Sequence, residues 1–356
     1  MSSEMATAPA GGGGGGSASA THPRFSGRSL QRWELALVVV LAGTLVFGAA
    51  ESPVFLTTPT IFYTGLNIGL IAIMALPLTM IVVTGEIDLS VAAMLGLSCT
   101  VFGYAFGHGI DVYLAMLIAL AVGVVGGALN GFLITRLGLP SIAVTIGTLT
   151  MFRGIAEVIL GQNEVTGFPN SLLVVAPIGG TQMAWTFAIF LVLAVIYGVI
   201  LHWSPIGRSI YAIGLNKETA FFSGIRVTRI KFCLYVISGA ICAMVGVLYA
   251  LQNNAARYDA GTGLELNVVA VVLFGGVSIF GGRGTIIGVV LSVLVVGCFD
   301  EVLTLINVSQ EEQNIVFGVL LLISVLVPNG ADGYHRLRRR LQRGRTGVAA
   351  PTAAPP

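Results

Sequence analysis

Apolar runs of about 20 residues recur along this chain from Trp33 to Pro328, and they constrain its fold more than any other feature. Each run is long enough to cross the roughly 30 Å hydrocarbon core of a bilayer as an α-helix. Charged residues make up only 10% of the 356 residues, whereas soluble domains carry about 25%. The runs are continuously apolar, which is not the alternating pattern of a membrane β-barrel. The sequence therefore predicts an all-α polytopic membrane protein.

About ten membrane helices are predicted. Their approximate ranges are 33–50, 61–84, 91–108, 112–135, 141–161, 183–203, 230–251, 264–281, 285–305 and 313–328. If both termini are cytoplasmic, 16 of the 18 Lys and Arg residues fall on the inner side, namely Arg24, Arg28, Arg32, Arg136, Arg208, Lys217, Arg226, Arg229, Lys231, Arg283, Arg336, Arg338, Arg339, Arg340, Arg343 and Arg345. Basic residues collect on the cytoplasmic side of membrane proteins. This distribution predicts that the N- and C-termini are cytoplasmic.

The chain divides into three parts by composition. Residues 1–30 contain the Gly-rich stretch "APAGGGGGGSASATHP" and are expected to form a disordered cytoplasmic tail. Residues 31–330 are the transmembrane domain, whose largest inner loop, about 204–229, is polar and long enough for a pair of helices. Residues 331–356 form a basic and then Pro/Ala-rich cytoplasmic tail. We expect its basic run to lie against anionic membrane lipids rather than nucleic acid.

The inner loop contains a short helix signal, "ETAFFSGI" (218–225). Glu218 and Thr219 can begin a helix there, and Gly224 supplies the backbone freedom with which helices often end. The exposed pair Phe221 and Phe222 has two interpretations on sequence alone. It docks into a cleft on a cytoplasmic partner, or it packs on the inner face of the membrane.

The stretch "GRSIYAIGLNKETAFFSGIRV" (207–227) resembles the coupling loop of ABC-importer permeases, in which Glu-Ala-Ala is followed after three residues by Gly. Here those places hold Glu218, Thr219, Ala220 and Gly224, and Thr219 replaces the usual small apolar residue. The resemblance implies that this loop contacts cytoplasmic ATP-binding subunits. The residues expected to make the ATPase-coupling loop are Asn216, Glu218, Ala220 and Gly224.

Three further motifs resemble the ribose-type branch of sugar permeases, which includes rhamnose and autoinducer-2 uptake systems. They are "GEIDLSV" (85–91), "TIGTLTMFRG" (145–154) and "GTGLELNVVAVVLFGGVSIFGGRGTIIG" (261–288). The sequence departs from that branch at Glu86 and Ala92, where Gly is usual, and at Asn267, where Asp is common. The resemblance runs from about residue 33 to residue 330.

This resemblance implies the transmembrane permease subunit of an ATP-driven ABC importer for a monosaccharide or sugar-like solute. It implies a multi-pass protein of the bacterial plasma (inner) membrane that works with two ATP-binding subunits. It also implies a second permease, either another copy or a sister chain, and an extracytoplasmic solute-binding protein. The sequence does not decide between ribose-, rhamnose- and autoinducer-2-type substrates.

ATP hydrolysis is expected on a separate subunit, so this chain is predicted not to be an enzyme. A Walker A loop needs Gly-Lys-Ser/Thr, and neither Lys217 nor Lys231 follows a glycine. We expect no cofactor or metal on this chain and no catalytic residue, with ATP and Mg²⁺ held by the partner. The alternative is an ion-coupled secondary transporter or channel, whose intramembrane ionisable groups are usually functional. Its candidates are Arg153 and Glu157, four residues apart on one helical face.

Glu86 and Asp88 interrupt two membrane-length runs, and this interruption has two interpretations. Asp88 or Ser90 can cap the third helix by accepting backbone N–H bonds. Alternatively, residues 84–90 form a broken-helix element that lines a water-filled cavity, since irregular backbone at membrane depth is tolerated in such places. The second interpretation favours Asp88 over Glu86 as a group on the translocation path.

Other polar groups within the predicted spans are also candidates for the translocation path. They are Asn67, Asn130, Thr145, Thr148 and Asn267, and each can alternatively form an ordinary hydrogen bond between helices. Phe152 can stack on a sugar face or belong to the core. The sequence "GGRG", which comprises Gly281, Gly282, Arg283 and Gly284, is predicted to form a tight turn at the inner face.

Overall fold

The computed structural model describes residues 27–172, 184–309, 311–319 and 322, and most of them lie in α-helices. The helices are α1 (Gly27–Glu51), α2 (Thr58–Val83), α3 (Val91–Gly107), α4 (Val112–Thr135), α5 (Ser141–Leu160), α6 (Trp185–Trp203), α7 (Pro205–Leu215), α8 (Lys217–Phe222), α9 (Val227–Asn253), α10 (Leu264–Phe274) and α11 (Ile286–Leu305). Residues 311–319 are also helical. The predicted tails lie outside the described residues, except that 27–30 already belong to α1.

Seven helices of the described part are long and apolar enough to cross a membrane: α1 from Trp33, α2, α4, α5, α6, α9 and α11. The predicted helical, multi-pass architecture is confirmed at this level. Two more apolar helices are shorter, α3 with 17 residues and α10 with 11. The predicted count of ten stays a prediction, because the tenth range, 313–328, lies partly outside the described residues.

The predicted span 264–281 is too long. Its helix, α10, ends at Phe274, where the backbone leaves the helix at Gly275 and Gly276. An 11-residue helix is about 16 Å long, roughly half the thickness of the hydrocarbon core. Residues 275–285 continue as a turn and irregular backbone that leads into α11.

The centre of the molecule is α2, which is buried along most of its length and contacts α6, α9, α10 and α11. Beside it, α4 and α9 approach very closely at Gly123 and Gly239. A β-carbon at either glycine would overlap the backbone of the opposite helix. Small residues allow such close backbone contact between helices in lipid. These contacts hold α4 and α9 directly against each other.

A minimal two-stranded sheet joins two loops on one side of the helices. Strand β1 (Val165–Thr166) follows α5 and pairs antiparallel with β2 (Ala255–Ala256), which follows α9. After β1, residues Asn170–Leu172 form a 3₁₀ turn. The predicted longest outer loop, 162–182, is described as far as residue 172. The sheet therefore ties the described part of this loop to the end of α9.

Candidate functional site

Residues 84–90, between α2 and α3, form an irregular segment that includes Gly85 at φ +80°. Asp88 is buried, and its Oδ1 accepts hydrogen bonds from the Ser90 backbone N–H at 2.9 Å and the Ser90 Oγ at 2.6 Å. Ser90 is the N-cap residue of α3, but no side chain caps this helix. The prediction of a cap is therefore wrong for Ser90, whose hydroxyl donates to Asp88 instead of accepting a helix N–H. For Asp88 it is confirmed to the extent that its carboxylate accepts the backbone N–H of the N-cap residue.

Asn130 connects this segment to α4. Its Nδ2 donates to the Ser90 Oγ at 2.8 Å, so Asn130, Ser90 and Asp88 form one continuous chain of buried hydrogen bonds. The Asn130 Oδ1 is buried without a hydrogen-bond partner among the described residues. The structure thus brings together three of the predicted path residues, from two places 40 residues apart in sequence.

The three candidates on α5 lie along one buried side of that helix. Thr145 donates to the Ser141 carbonyl at 2.9 Å, and its hydroxyl lies 3.4 Å from the Ile87 carbonyl of the irregular segment. Thr148 makes a 3.4 Å contact with the carbonyl of Thr145. Phe152 is buried against the α4 backbone, where a β-carbon at Gly126 would lie 3.2 Å from its ring. Phe152 is thus in core contact in this structure.

Asn67 and Asn267 lie apart from that cluster. Asn67 is exposed on α2, and its Oδ1 accepts a hydrogen bond from the Gln252 side chain at 3.3 Å. Asn267 is half-buried on α10. For Asn67, the structure shows the hydrogen bond between helices that was the alternative to a place on the path.

Sequence reasoning missed a buried ion pair next to Asp88. The Lys231 Nζ lies 2.5 Å from the Glu86 Oε1, and only 5% of the Lys231 side chain is exposed. Lys231 belongs to α9 and Glu86 to the segment 84–90. Two signals were present in the sequence: a lysine at the edge of an apolar span, and an acid where related sequences carry glycine. Neither signal identifies the partner.

Arg153 and Glu157, the two candidates of the ion-coupled alternative, do not pair with each other in this structure. Arg153 does not turn toward Glu157, which is exposed on α5. Its Nη1 donates to the Ala260 carbonyl at 2.5 Å, and its Nη2 lies 3.9 Å from the Glu265 Oε2 at the start of α10. Gly96 on α3 makes room for this guanidinium, since a β-carbon there would lie 2.5 Å from Nη1.

The predicted short helix of the inner loop is α8, and its ends are well defined. The Asn216 Oδ1 accepts a hydrogen bond from the Thr219 backbone N–H at 2.8 Å, which caps the first turn. At the other end Gly224 has φ +82°, and Ile225 N donates to the Ala220 carbonyl at 3.1 Å. This is a Schellman motif, which closes a helix at a left-handed residue.

The two phenylalanines of α8 point away from the core of the described residues. Phe221 is 65% exposed and Phe222 is 85% exposed, while Glu218 is also exposed. Ala220 lies on the opposite side and is buried against Ile213 of α7 and Val227 of α9. The helix is thus held from one side and presents two aromatic rings on the other.

The "GGRG" residues form a turn between α10 and α11. Gly281 and Gly282 have φ of +78° and +73°, and the Ser278 backbone N–H donates to the Arg283 carbonyl at 3.1 Å. The Tyr211 hydroxyl donates to the Gly284 carbonyl at 2.6 Å. Since Tyr211 belongs to α7, this turn is attached directly to the loop that the sequence predicts on the inner side.

Within the described ranges, no group of three or more His, Cys, Asp or Glu side chains is arranged to hold a metal ion. The arrangement offers instead neutral hydrogen-bonding groups around one buried carboxylate, an ion pair beside it, and a short surface helix.

Comparison with known proteins gives one family and several curated relatives. The sequence profile described as "Branched-chain amino acid transport system / permease component" matches residues 60–325. The ribose import permease protein RbsC of Bacillus subtilis is 34% identical over 285 residues, which covers 78% of this chain and 86% of that protein. The autoinducer 2 import system permease protein LsrD of Escherichia coli is 32% identical over 307 residues, covering 83% and 91%. A solved inward-facing metal-chelate type ABC transporter aligns at 15% identity over 86% of this chain and 99% of its own, with a TM-score of 0.45.

Proposed function

Since this chain belongs to the family of branched-chain amino acid transport system permease components, we propose that it is the membrane permease subunit of an ATP-driven ABC importer. Its solute is a monosaccharide or a sugar-like compound, a class that includes the ribose and autoinducer 2 named for its relatives. The chain forms the gate within the bilayer. ATP is bound and hydrolysed with Mg²⁺ on two cytoplasmic partner subunits.

The observation that carries this proposal is the geometry of α8. A six-residue helix is too short to be stable by itself in water, yet α8 is capped at both ends and anchored through Ala220. Its free side presents Phe221 and Phe222, two rings of the kind that anchor protein interfaces. A rigid aromatic surface of this kind supports docking of α8, with Asn216, Glu218 and Gly224, into a cleft on an ATP-binding subunit.

We place the solute path beside the irregular segment 84–90. Asp88, Ser90 and Asn130 form its polar wall, and Thr145 approaches the same segment from α5. Hydroxyl and amide groups around a carboxylate match the donors and acceptors of a polyhydroxylated solute. Thr148 and Asn267 are the secondary candidates.

The remaining assignments belong to the same proposal. The chain crosses the bacterial plasma membrane about ten times with both termini in the cytoplasm, as the distribution of basic residues favours. It pairs with a second permease, a copy of itself or a sister chain, and receives solute from an extracytoplasmic binding protein. The turn at Gly281, Gly282, Arg283 and Gly284 then lies at the inner face.

The test is a reconstitution of the complete importer in proteoliposomes with Gly224→Ala or Glu218→Ala. Alanine at Gly224 must adopt φ +82°, which costs about 1–2 kcal/mol and loosens the end of α8. We expect solute uptake to fall more than tenfold while ATP hydrolysis continues and membrane insertion is unchanged. Gly43→Ala is the control, since a β-carbon there meets nothing within 4 Å.

Two outcomes would contradict the proposal. Normal uptake by both α8 variants would contradict the proposal that α8 couples transport to an ATP-binding subunit. Uptake against a gradient by the purified chain alone, driven by a proton gradient without ATP, would instead identify an ion-coupled carrier.

A further inference from the structure

The helix α8 is attached rigidly to both of its neighbours. Its buried residue Ala220 packs between Ile213 of α7 and Val227 of α9, and the Schellman motif at Gly224 leads within three residues into α9. A displacement of α8 therefore moves the end of α7 and the start of α9 with it. Both of these helix ends touch the irregular segments of the membrane domain.

The end of α7 meets two other backbones at a point that we call the glycine junction, formed by Gly85, Gly214, Gly281 and Gly282. The Gly282 N–H donates to the Val83 carbonyl at 2.8 Å, which joins the turn 275–285 to the end of α2. A β-carbon at Gly214 would overlap both that carbonyl oxygen and the Gly282 amide. Of the amino acids, only glycine therefore fits at position 214, where α7 contacts both Val83 and Gly282.

Within the glycine junction, the backbone at Gly281 also packs tightly against Gly85 and Gly214. A β-carbon at Gly281 would lie 2.8 Å from the Gly85 nitrogen and 3.0 Å from the Gly214 oxygen. One turn before Gly214, the Tyr211 hydroxyl donates to the Gly284 carbonyl at 2.6 Å. Burial raises the pKa of Tyr211 to about 12, so this hydroxyl remains a proton donor at neutral pH.

The start of α9 reaches the segment 84–90 by a different contact. Lys231, one turn into α9, places its Nζ 2.5 Å from the Glu86 Oε1, with 5% of the lysine side chain and 19% of the glutamate side chain exposed. A buried ammonium that loses its carboxylate partner is strongly disfavoured. The Glu86–Lys231 pair therefore keeps the segment 84–90 in contact with α9 when the segment or the helix moves.

We propose that the Glu86–Lys231 pair and the glycine junction are the link by which a movement of α8 reaches the segment 84–90 and the turn 275–285. Glu86, Lys231 and Gly214 are positioning residues: they contact neither solute nor ATP. When they are displaced, Asp88 and Ser90 move with them, because these residues follow Glu86 by two and four positions. This inference rests on the proposed function, because α8 must be driven by a partner subunit for the link to matter.

The experiment uses the complete importer, with ATP-binding subunits and solute-binding protein, in proteoliposomes. It measures the ATP hydrolysed per molecule of radiolabelled D-ribose imported, with autoinducer 2 as a second probe. The variants are Glu86→Gln, Gly214→Ala and the double replacement Glu86→Gln/Lys231→Met. The double replacement leaves no unpaired buried charge, and replacing a buried ion pair by neutral groups is often tolerated in stability.

We expect the double replacement to assemble like the wild type, as judged by size exclusion, and to raise the ATP-to-solute ratio at least threefold. Gly214→Ala is expected to raise the ratio as well, whereas Gly43→Ala leaves it unchanged. A purely structural pair predicts another pattern: uptake and hydrolysis fall together with the amount of folded protein, and the ratio stays constant. A wild-type ratio in both the double replacement and Gly214→Ala would overturn the link.

The failure of the link and the failure of the proposed function give different results. A wild-type importer that hydrolyses ATP but imports neither probe contradicts a ribose- or autoinducer 2-type substrate, whatever the variants do. A wild-type importer that imports a probe, together with variants of unchanged ratio, contradicts only the link.

Discussion

Two short segments of this chain carry the same order of residue types, yet the structure holds them differently. The segment "IDLSV" (87–91) leads into α3, and "LELNV" (264–268) opens α10. Each contains an aliphatic residue, an acid, leucine, a small polar residue and valine. Both follow irregular backbone with a glycine in the left-handed region, Gly85 in the first case and Gly263 in the second.

The acid of the first segment is tightly bound. Asp88 is 4% exposed, lies outside the helix, and accepts two hydrogen bonds from Ser90, which in turn is bound by Asn130. The adjacent Glu86 is paired with Lys231. Every charge of this segment therefore has a close partner.

The acid of the second segment is loosely held. Glu265 lies inside the first turn of α10, and its Oε2 is 3.9 Å from the Arg153 Nη2, with neither atom hydrogen-bonded among the described residues. The Arg153–Ala260 hydrogen bond joins α5 to the loop that precedes α10. The same order of residue types thus gives a helix start with well-bonded acids at α3 and one with a weakly paired acid at α10. The difference comes from the residues that each start contacts in the folded structure.

The largest effect that separates the two segments is expected from Asp88→Ala. Removing this carboxylate leaves the Ser90 N–H and hydroxyl without their acceptor in a buried place, which costs about 3 kcal/mol. We expect a clear fall in the thermal unfolding midpoint of the protein in detergent. The matched control is Glu265→Ala, which is expected to lower the midpoint less, because the Glu265 Oε2 lies 3.9 Å from its cation and accepts no hydrogen bond among the described residues. An equal or larger effect at Glu265 would invalidate the comparison.

An intermediate effect is expected from Arg153→Met. This variant loses the hydrogen bond to the Ala260 carbonyl and leaves Glu265 without its nearby cation, at a cost of about 2 kcal/mol. The same unfolding measurement checks it, and Arg153→Lys, which keeps the charge, should recover part of the loss. If Arg153→Met unfolds at the wild-type midpoint, the loop before α10 is held by other contacts.

The smallest effect is expected at the exposed Arg257–Asp259 pair, in the loop that precedes the second segment. Arg257 donates two hydrogen bonds of 3.0 Å to Asp259 and thereby lowers the pKa of that carboxyl below its ordinary value. The stability from this pair is present above the ordinary aspartate pKa and is lost as the pH falls through the lowered one. Arg257→Gln should therefore lower the unfolding midpoint slightly at neutral pH. That difference should vanish in acid, and a difference independent of pH would point to another cause.

Much of the fold follows from residue patterns that act locally. The apolar runs predicted the helices because backbone that faces lipid must have its hydrogen bonds satisfied internally, and a continuously apolar run does this as an α-helix. The C-terminal end of α8 was also predicted, because Gly224 acts on residues three or four positions away. Its start was predicted at Glu218 or Thr219, whereas the helix begins at Lys217 behind the Asn216 cap. The predicted span 264–281 failed, because apolar composition alone does not reveal that α10 ends at Gly275.

The candidate site was predicted only in part. Asp88, Ser90 and Asn130 were recognised as polar groups in apolar surroundings, but nothing local indicates that they meet. Lys231 was counted on the inner side, at the edge of the predicted span 230–251, and Arg153 and Glu157 were named as two candidates on one helical face. The partners in the structure, Glu86 for Lys231 and Glu265 for Arg153, lie 145 and 112 positions away in sequence, so local spacing could not identify them.

By itself the sequence determined that this chain is a helical membrane protein and that the polar loop of about 204–229 contains a short helix that ends at Gly224. Hydropathy and helix capping depend on neighbours in sequence, and no tertiary contact is needed to read them. The tertiary structure alone decided which charges are paired, which glycines touch, and which helix start is held firmly. Those outcomes depend on contacts between residues that are far apart in sequence. Such residues come close together only when α2, α7 and α9 pack against one another.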